Sequence, residues 1–217
     1  MRSSSNTYAI TCALCLAFLS PLLLLAKGFV KPAAHAASTY PAHDSHTDEK
    51  VAIAADPYDT PEKAKVFSMD FPQYGFLPVF FVVTNDGDRP ISIAKIEITL
   101  ITRNHSKLTP TSSDDIYRRL SNPQANTHPT PFPIPHKKVK GTVSQKDMDE
   151  IESAQFAARA VEPHTTQSGF LFFDVGGIAE PLAEANLDVT GVADANGHEL
   201  LYFEIPMQKY LSPQSKP

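Results

Sequence analysis

The most compact hydrophobic run in the chain lies between Leu77 and Thr84. Its residues are β-branched or aromatic and are apolar at both odd and even positions, a pattern that predicts a strand covered on both faces. We therefore expect this strand to lie in the centre of a sheet. The next run, Ile91 to Thr102, is apolar first at odd and then at even positions. This change of phase predicts a β-bulge or a break between two short strands.

More strands are predicted downstream, at Gly169 to Val175, Leu187 to Val192 and Glu199 to Met207, with a shorter one at Ala158 to Val161. The turn Asp194-Ala195-Asn196-Gly197 is typical of a hairpin, since Asn and Gly tolerate positive φ. Short strands separated by turns predict a mainly β fold, an antiparallel immunoglobulin-like sandwich over about residues 57–212. The aromatic residues expected in its core are Phe80, Phe81, Phe170, Phe172, Phe173, Tyr202 and Phe203.

A helical and proline-rich insertion is predicted at about residues 108–157. Ser112 to Asp115 begin a short helix that is expected to end near Leu120. Asn122 to Pro135 contain five prolines, a spacing that favours polyproline II. Ser144 and Asp147 resemble a capping pair, and their helix is expected to end near Ala157.

The segment before the predicted sandwich is polar. Residues 38–56 show no periodicity until Val51 and are interpreted as a poorly ordered polar tether. Thr60-Pro61-Glu62-Lys63 then has a hydroxyl cap, a proline at the first helical position and an acid in the first turn. A short helix or turn to about Phe67 is expected. Residues 213–217 are interpreted as a tail.

Residues 1–37 indicate export. Arg2 precedes an apolar run from Tyr8 to Ala26, and no acid occurs before Asp44. At about 1.5 Å per residue this run reaches roughly 28 Å as a helix, so it fits either a cleaved signal peptide or an uncleaved membrane anchor. Ala34 and Ala36 are small residues at the two positions that a signal peptidase reads, which makes them the candidate cleavage residues.

The two candidates for residues 1–37 differ in destination. Cleavage would give a periplasmic or secreted protein, whereas an anchor would attach the domain to the membrane through Tyr8 to Ala26. Lys27 and Lys31 follow the apolar run and make both of its flanks positive, so charge does not choose the orientation of an anchor.

Composition narrows the class of protein to which the chain can belong. The chain has 217 residues, 42% apolar and 20% charged, which fits one globular domain with extensions and excludes collagenous, coiled-coil and polytopic membrane proteins. The two cysteines, Cys12 and Cys15, both lie in the apolar run. The exported domain is therefore expected to have no disulfide, thiolate nucleophile or cysteine-bound metal.

The charge balance argues against nucleic acid as a partner. Residues 1–37 include Arg2, Lys27 and Lys31 and no acid, so residues 38–217 keep 16 basic and 24 acidic residues, a formal charge of −8. Nucleic-acid-binding domains usually carry a basic surface.

The sequence offers few candidates for chemistry. It contains no phosphate-binding glycine loop, nucleophile elbow, metalloprotease motif or complete calcium loop. His43 and His46, with Asp44, Asp48 and Glu49 nearby, form the densest set of potential metal ligands. Because a tether has no framework to hold ligand geometry, we expect no metal site there and no cofactor.

One basic patch follows the proline-rich segment. His136, Lys137, Lys138 and Lys140 could contact lipid phosphate or an anionic polymer, or they could form a solvated edge.

Three stretches carry a resemblance to known proteins. They are Gly75 to Gly87, Glu162 to Phe173 and Gly191 to Met207. These stretches resemble a family of uncharacterised exported bacterial proteins with an immunoglobulin-like β-sandwich domain. The resemblance covers most of residues 56–212 and implies location and fold, but no activity.

Two functions are compatible with these features. The first is a non-catalytic envelope protein whose sandwich is an interaction or structural module for a protein or cell-wall partner, with Asn122 to Lys140 as its contact surface. The alternative is a periplasmic hydrolase or metal-dependent enzyme. That alternative requires His105, His136 or His164 to meet a carboxylate in one concave pocket.

Overall fold

A computed structural model describes residues 29–121 and 143–211, and these residues form a mainly β protein with antiparallel sheets. The strands described are β1 His43–His46, β2 Val51–Pro57, β3 Phe76–Asn85, β4 Ile91–Ser92, β5 Glu97–Ile101, β6 Lys107–Leu108, β7 Ala160–Val161, β8 Thr165–Asp174, β9 Asn186–Thr190 and β10 Phe203–Pro206. The α-helices are α1 Pro61–Ala64, α2 Ser113–Ser121, α3 Gln145–Ala154 and α4 Gln208–Leu211. Short 3₁₀ helices occupy Ala37–Thr39 and Phe71–Tyr74.

The strands form two four-stranded sheets and one small ladder. The first sheet has the order β1-β2-β3-β8, the second has the order β10-β9-β5-β6, and β4 pairs with β7. The break predicted within Ile91 to Thr102 is confirmed, because β4 and β5 belong to different ladders.

Strand β3 lies in the middle of the first sheet, and all ten of its residues are buried. Because side chains alternate across a strand, Val79 and Phe81 enter one hydrophobic cluster while Phe80 and Val82 enter another. The predicted central strand is therefore confirmed.

The two clusters define three layers. In the first cluster, Phe81 and Phe173 of the first sheet pack with Leu187 and Phe203 of the second, an arrangement consistent with a β-sandwich. In the second cluster, the opposite face of the first sheet packs against helices α2 and α3, the loop around Phe67 and the chain from Phe29 onward.

The predicted helix starts are confirmed. The Thr60 hydroxyl accepts from the Lys63 N–H at the start of α1, and Ser144 and Asp147 form a reciprocal capping box at the start of α3. Helix α3 ends at Ala154, before the predicted end near Ala157. The chain leaves the helix there because the Phe156 N–H donates to the Phe170 carbonyl at the edge of β8. The proline-rich segment Asn122 to Pro135 lies outside the described residues.

The predicted tether over residues 38–56 is wrong. Strands β1 and β2 fall within it, and Val51 to Ala55 are all buried. The polar residues that made this segment look solvated are instead paired where β1 meets β10. The Asp44 Oδ2 atom accepts from the Glu204 N–H at 3.0 Å, and the His46 ring stacks on Phe203 with centroids 3.9 Å apart.

One aromatic prediction is also wrong. Tyr202 was expected in the core, but β10 begins one residue later and leaves Tyr202 60% exposed.

The outer edge of β8 is covered by hydrogen bonds from three segments. The Phe170 carbonyl accepts from the Phe156 N–H at 3.0 Å, the Phe172 carbonyl accepts from the Thr111 N–H at 2.7 Å, and the Ser168 carbonyl accepts from Lys31 Nζ at 3.0 Å. Such cover prevents an edge strand from pairing with another chain.

Two glycines allow a matched test of close packing. Gly191 (φ 76°) and Gly197 (φ 85°) share the left-handed conformation, but a Cβ on Gly191 would lie 2.1 Å from the Lys95 carbonyl oxygen, whereas a Cβ on Gly197 would meet nothing within 4 Å. We expect Gly197→Ala to lower the free energy of unfolding by about 1–2 kcal/mol through backbone strain, and Gly191→Ala by about 3 kcal/mol or more because the clash is added. Denaturant unfolding measures both, and equal losses would contradict the predicted clash.

Candidate functional site

Two adjoining cavities lie beside helix α4. Their volumes are about 580 and 660 Å³, and Asp59 and Leu211 line both of them. These volumes are in the range of ligand-binding pockets. We call the two cavities together the acidic cleft. The first cavity is lined by Asp59, Leu77, Glu180, Pro181, Leu182, Ala183, Glu184, Gln208 and Leu211. The second cavity is lined by His35, Thr39, Tyr40, Pro41, Asp56, Asp59, Thr60, Lys63, Tyr210 and Leu211.

The first cavity combines an apolar wall with carboxylates. The apolar wall is formed by Leu211, Pro181 and Ala183 above the buried Leu77 and Leu182. Asp59, Glu180 and Glu184 contribute negative charge with no basic residue in the lining. In the described part of the chain, no ion pair involves Glu180 or Glu184. Both glutamates also have positive φ, 50° and 51°, so the loop presents them in a backbone conformation that is uncommon for residues with a Cβ.

The second cavity contains a lysine held by its neighbours. Lys63 Nζ lies 2.5 Å from Asp56 Oδ1 and donates to the Pro57 carbonyl at 3.0 Å. The same ammonium lies 4.6 Å from the centre of the Tyr210 ring, within cation–π distance. Because Lys63 neutralises Asp56, the charge left in the cleft comes from Asp59, Glu180 and Glu184.

Tyr210 attaches helix α4 to this cluster. Its hydroxyl donates to Asp59 Oδ1 at 2.6 Å. Burial, and then the hydrogen bond to Asp59, raise the pKa of Tyr210 above its ordinary value. Burial, and then the charge of Asp56, raise the pKa of Tyr58 to about 12. Both phenols therefore stay neutral at physiological pH and act as packing and donor groups.

The arrangement is suited to binding. Its cation is already paired with a carboxylate and packed on a tyrosine, whereas its excess carboxylates face an apolar wall. A ligand with a positive charge and an apolar body would satisfy both features.

The candidate metal residues His43 and His46 do not converge. Both lie in β1 three positions apart, so their side chains point to opposite faces of the strand. His43 Nδ1 bonds the Tyr40 carbonyl at 2.5 Å, while His46 Nδ1 lies 2.8 Å from Glu49 Oε2 and its Nε2 lies 3.5 Å from Asp44 Oδ2. Glu49 also accepts the main-chain N–H of Leu201, and Asp44 accepts the main-chain N–H of Glu204. Within residues 29–121 and 143–211, no group of three or more His, Cys, Asp or Glu residues is arranged to hold a metal ion.

The other histidines of the described residues lie on the surface. His105 is exposed in a turn with φ 59°. His164 Nε2 lies 3.2 Å from Asp88 Oδ1, but both side chains are largely exposed and His164 lines neither cavity of the acidic cleft. The hydrogen bond from Lys50 is the main cause that lowers the pKa of Asp88.

The remaining predicted site residues divide into two groups. The basic patch His136, Lys137, Lys138 and Lys140 lies outside the described residues. The candidate cleavage residues Ala34 and Ala36 lie in the segment that packs on the first sheet, where Ala34 contacts the second hydrophobic cluster.

Sequence reasoning missed the cleft. Thr60 and Lys63 were recognised only as the start of a helix, and Glu180 and Glu184 lie more than 110 residues away in the chain. No motif joins these positions, so only the fold brings them together.

Comparison with protein-family models, with curated proteins and with solved structures found no match. Among residues 29–121 and 143–211, no helix combines the length and the apolar character needed to cross a membrane.

The raised tyrosine pKa values predict an alkaline limit to stability. Because an unfolded tyrosine ionises near pH 10 and burial raises the pKa of Tyr58 in the fold to about 12, the contribution of Tyr58 to the free energy of unfolding should be constant below about pH 10 and should be lost between pH 10 and 12. In an ultraviolet absorbance titration, Tyr58→Phe should remove one late-ionising phenol of the seven tyrosines. Tyr202→Phe, which changes a tyrosine that is 60% exposed, should leave that late-ionising phenol in place. Loss of the same component in both variants would contradict this assignment.

Proposed function

We propose that the chain is a non-catalytic exported protein whose β-sandwich is an interaction module and whose binding site is the acidic cleft. The single observation that supports this most is the first cavity, where Asp59, Glu180 and Glu184 meet an apolar wall without a basic residue in the lining. Three carboxylates that line one cavity favour a partner of opposite charge.

The chemistry of the cleft favours a basic protein segment as the partner. A lysine or arginine can place its charge among the carboxylates while its neighbouring apolar side chains contact Leu211, which is 42% exposed, and Pro181. The acidic balance of the whole chain, 24 acidic against 19 basic residues, steers the same class of partner toward the surface.

Several wider features belong to this proposal. The immunoglobulin-like character of the sandwich, the exported location and the absence of catalysis rest on the sequence arguments above. The proline-rich stretch from Asn122 to Lys140 stays a predicted second contact surface.

The enzymatic alternative receives less support from the described residues. It needs a histidine and a carboxylate in one concave pocket. Of the histidines that this alternative names, His105 and His164 line neither cavity of the cleft, and His136 lies outside the described residues. His35 does share the second cavity with two carboxylates, but Asp56 is paired with Lys63 and Asp59 accepts from the Tyr210 hydroxyl.

A titration with designed peptides tests the proposed site. We expect a short fluorescein-labelled peptide of alternating leucine and lysine to bind the protein in the micromolar range, with an affinity that falls as salt is added. Replacing the leucines by serine, or the lysines by glutamate, should weaken binding about tenfold or more, since each removes one of the two matched features. Fluorescence polarisation measures all three.

Two double variants locate the binding. Glu180→Gln with Glu184→Gln should weaken the leucine–lysine peptide about tenfold. Glu152→Gln with Glu162→Gln makes the same change in net charge at exposed positions outside the cleft and should leave affinity unchanged. Equal affinities for the two double variants, or no saturable binding, would refute the proposed site.

A further inference from the structure

Asp59 lines both cavities of the acidic cleft, and its backbone is fixed on each side. On one side, the Tyr58 N–H donates to the Pro78 carbonyl of β3 at 2.8 Å. On the other side, the Thr60 hydroxyl caps helix α1 by accepting from the Lys63 N–H. Asp59 itself is exposed, so the freedom left to its carboxylate is rotation of the side chain.

A hydrogen bond restrains that rotation. The Tyr210 hydroxyl donates to Asp59 Oδ1 at 2.6 Å. Burial, and then this bond, raise the pKa of Tyr210, so the phenol keeps the proton that it donates. Within residues 29–121 and 143–211, Asp59 Oδ2 has no hydrogen-bond or ion-pair partner. Since an ionised carboxylate accepts through both oxygens, Oδ2 stays open to a cation while Oδ1 is held.

Tyr210 is itself held from two directions. Its ring lies 4.6 Å from Lys63 Nζ, and that ammonium is paired with Asp56. Directly before helix α4, the Met207 N–H donates to the Ala185 carbonyl at 2.8 Å. The phenol that restrains Asp59 is therefore a fixed donor.

Tyr210 lines the second cavity but not the first, where Glu180 and Glu184 lie. An effect of Tyr210 on a ligand in the first cavity must therefore pass through a residue that the cavities share. Asp59 and Leu211 are common to both linings, and of these two Asp59 is the residue that can bind a cation.

We propose that Tyr210 is a positioning residue of the acidic cleft: by holding Asp59 Oδ1, it directs Asp59 Oδ2 toward the cation of a basic ligand in the first cavity, beside Glu180 and Glu184. This inference rests on the proposed function, because it concerns how the same ligand is held. A charged group that is already ordered in the free protein need not be ordered on binding, which raises affinity.

The variant Tyr210→Phe tests the hydrogen bond, because it removes the hydroxyl and keeps the ring that packs on Lys63. We expect it to bind the leucine–lysine peptide about tenfold more weakly, as measured by fluorescence polarisation. Tyr202→Phe makes the same chemical change at a tyrosine that is 60% exposed and should leave affinity unchanged. Denaturant unfolding of both variants provides the control for folding. A loss of stability in Tyr210→Phe with unchanged affinity would assign the bond a structural role alone and overturn the proposal.

A double variant shows whether Tyr210 acts through Asp59. In an Asp59→Ala chain, Tyr210→Phe should weaken peptide binding by less than about twofold further, because the group that it positions is gone. A further loss as large as in the unmodified chain would mean that Tyr210 acts by another route, such as Leu211 on the same helix, and would overturn the proposal.

These measurements separate failure of the positioning role from failure of the site. Unchanged affinity in Tyr210→Phe, together with weakened binding by Glu180→Gln with Glu184→Gln, would refute the role of Tyr210 and leave the proposed site standing. No saturable binding by the unmodified chain would refute the proposed site and this inference with it.

Discussion

The structure depends on one strand that is buried on both faces. Each side chain of β3 packs either toward the second sheet or toward the helical layer, while its backbone pairs with β2 on one side and β8 on the other. The polar side chains at its end are all bonded: Asn85 donates to the carbonyls of Arg89 and Val161, and Thr84 accepts from Ala37. A buried polar group without a partner would cost about 1–3 kcal/mol, so these bonds fix the turn and the N-terminal segment against β3.

The sandwich is joined at one side by polar side chains. Strands β1 and β10 belong to different sheets, and the Asp44 carboxylate satisfies a main-chain N–H that β10 would otherwise leave open. The His46 ring adds packing on Phe203 while two carboxylates flank its nitrogens. Charged residues in this segment therefore have a structural role, and their density in the sequence has a cause other than solvent exposure or metal binding.

The acidic cleft depends on how helix α4 is held. Helix α4 is short and exposed, and it is held through Tyr210, which bonds Asp59 and packs on Lys63. This docking uses the cation at Lys63 and leaves the carboxylates of Glu180 and Glu184 without an opposite charge nearby in the lining. A surface that keeps like charges beside apolar walls gains free energy when a partner of opposite charge covers it, which connects the packing of helix α4 to the proposed binding.

The sequence by itself determined the elements whose signals are local. The apolar run of β3, the caps at Thr60 and Ser144 and the turn at Gly197 each depend on neighbours within a few residues, and each is found in the structure. Tertiary structure decided the rest. Residues 38–56 looked like a tether because the partners of Asp44 and Glu49 lie about 150 residues away. The cleft likewise unites Asp59 with Glu180 and Leu211, and Phe29 joins the core only through rings on distant segments. Pairing across such separations leaves no periodicity or spacing in the chain, because its energy arises only once the sheets have packed.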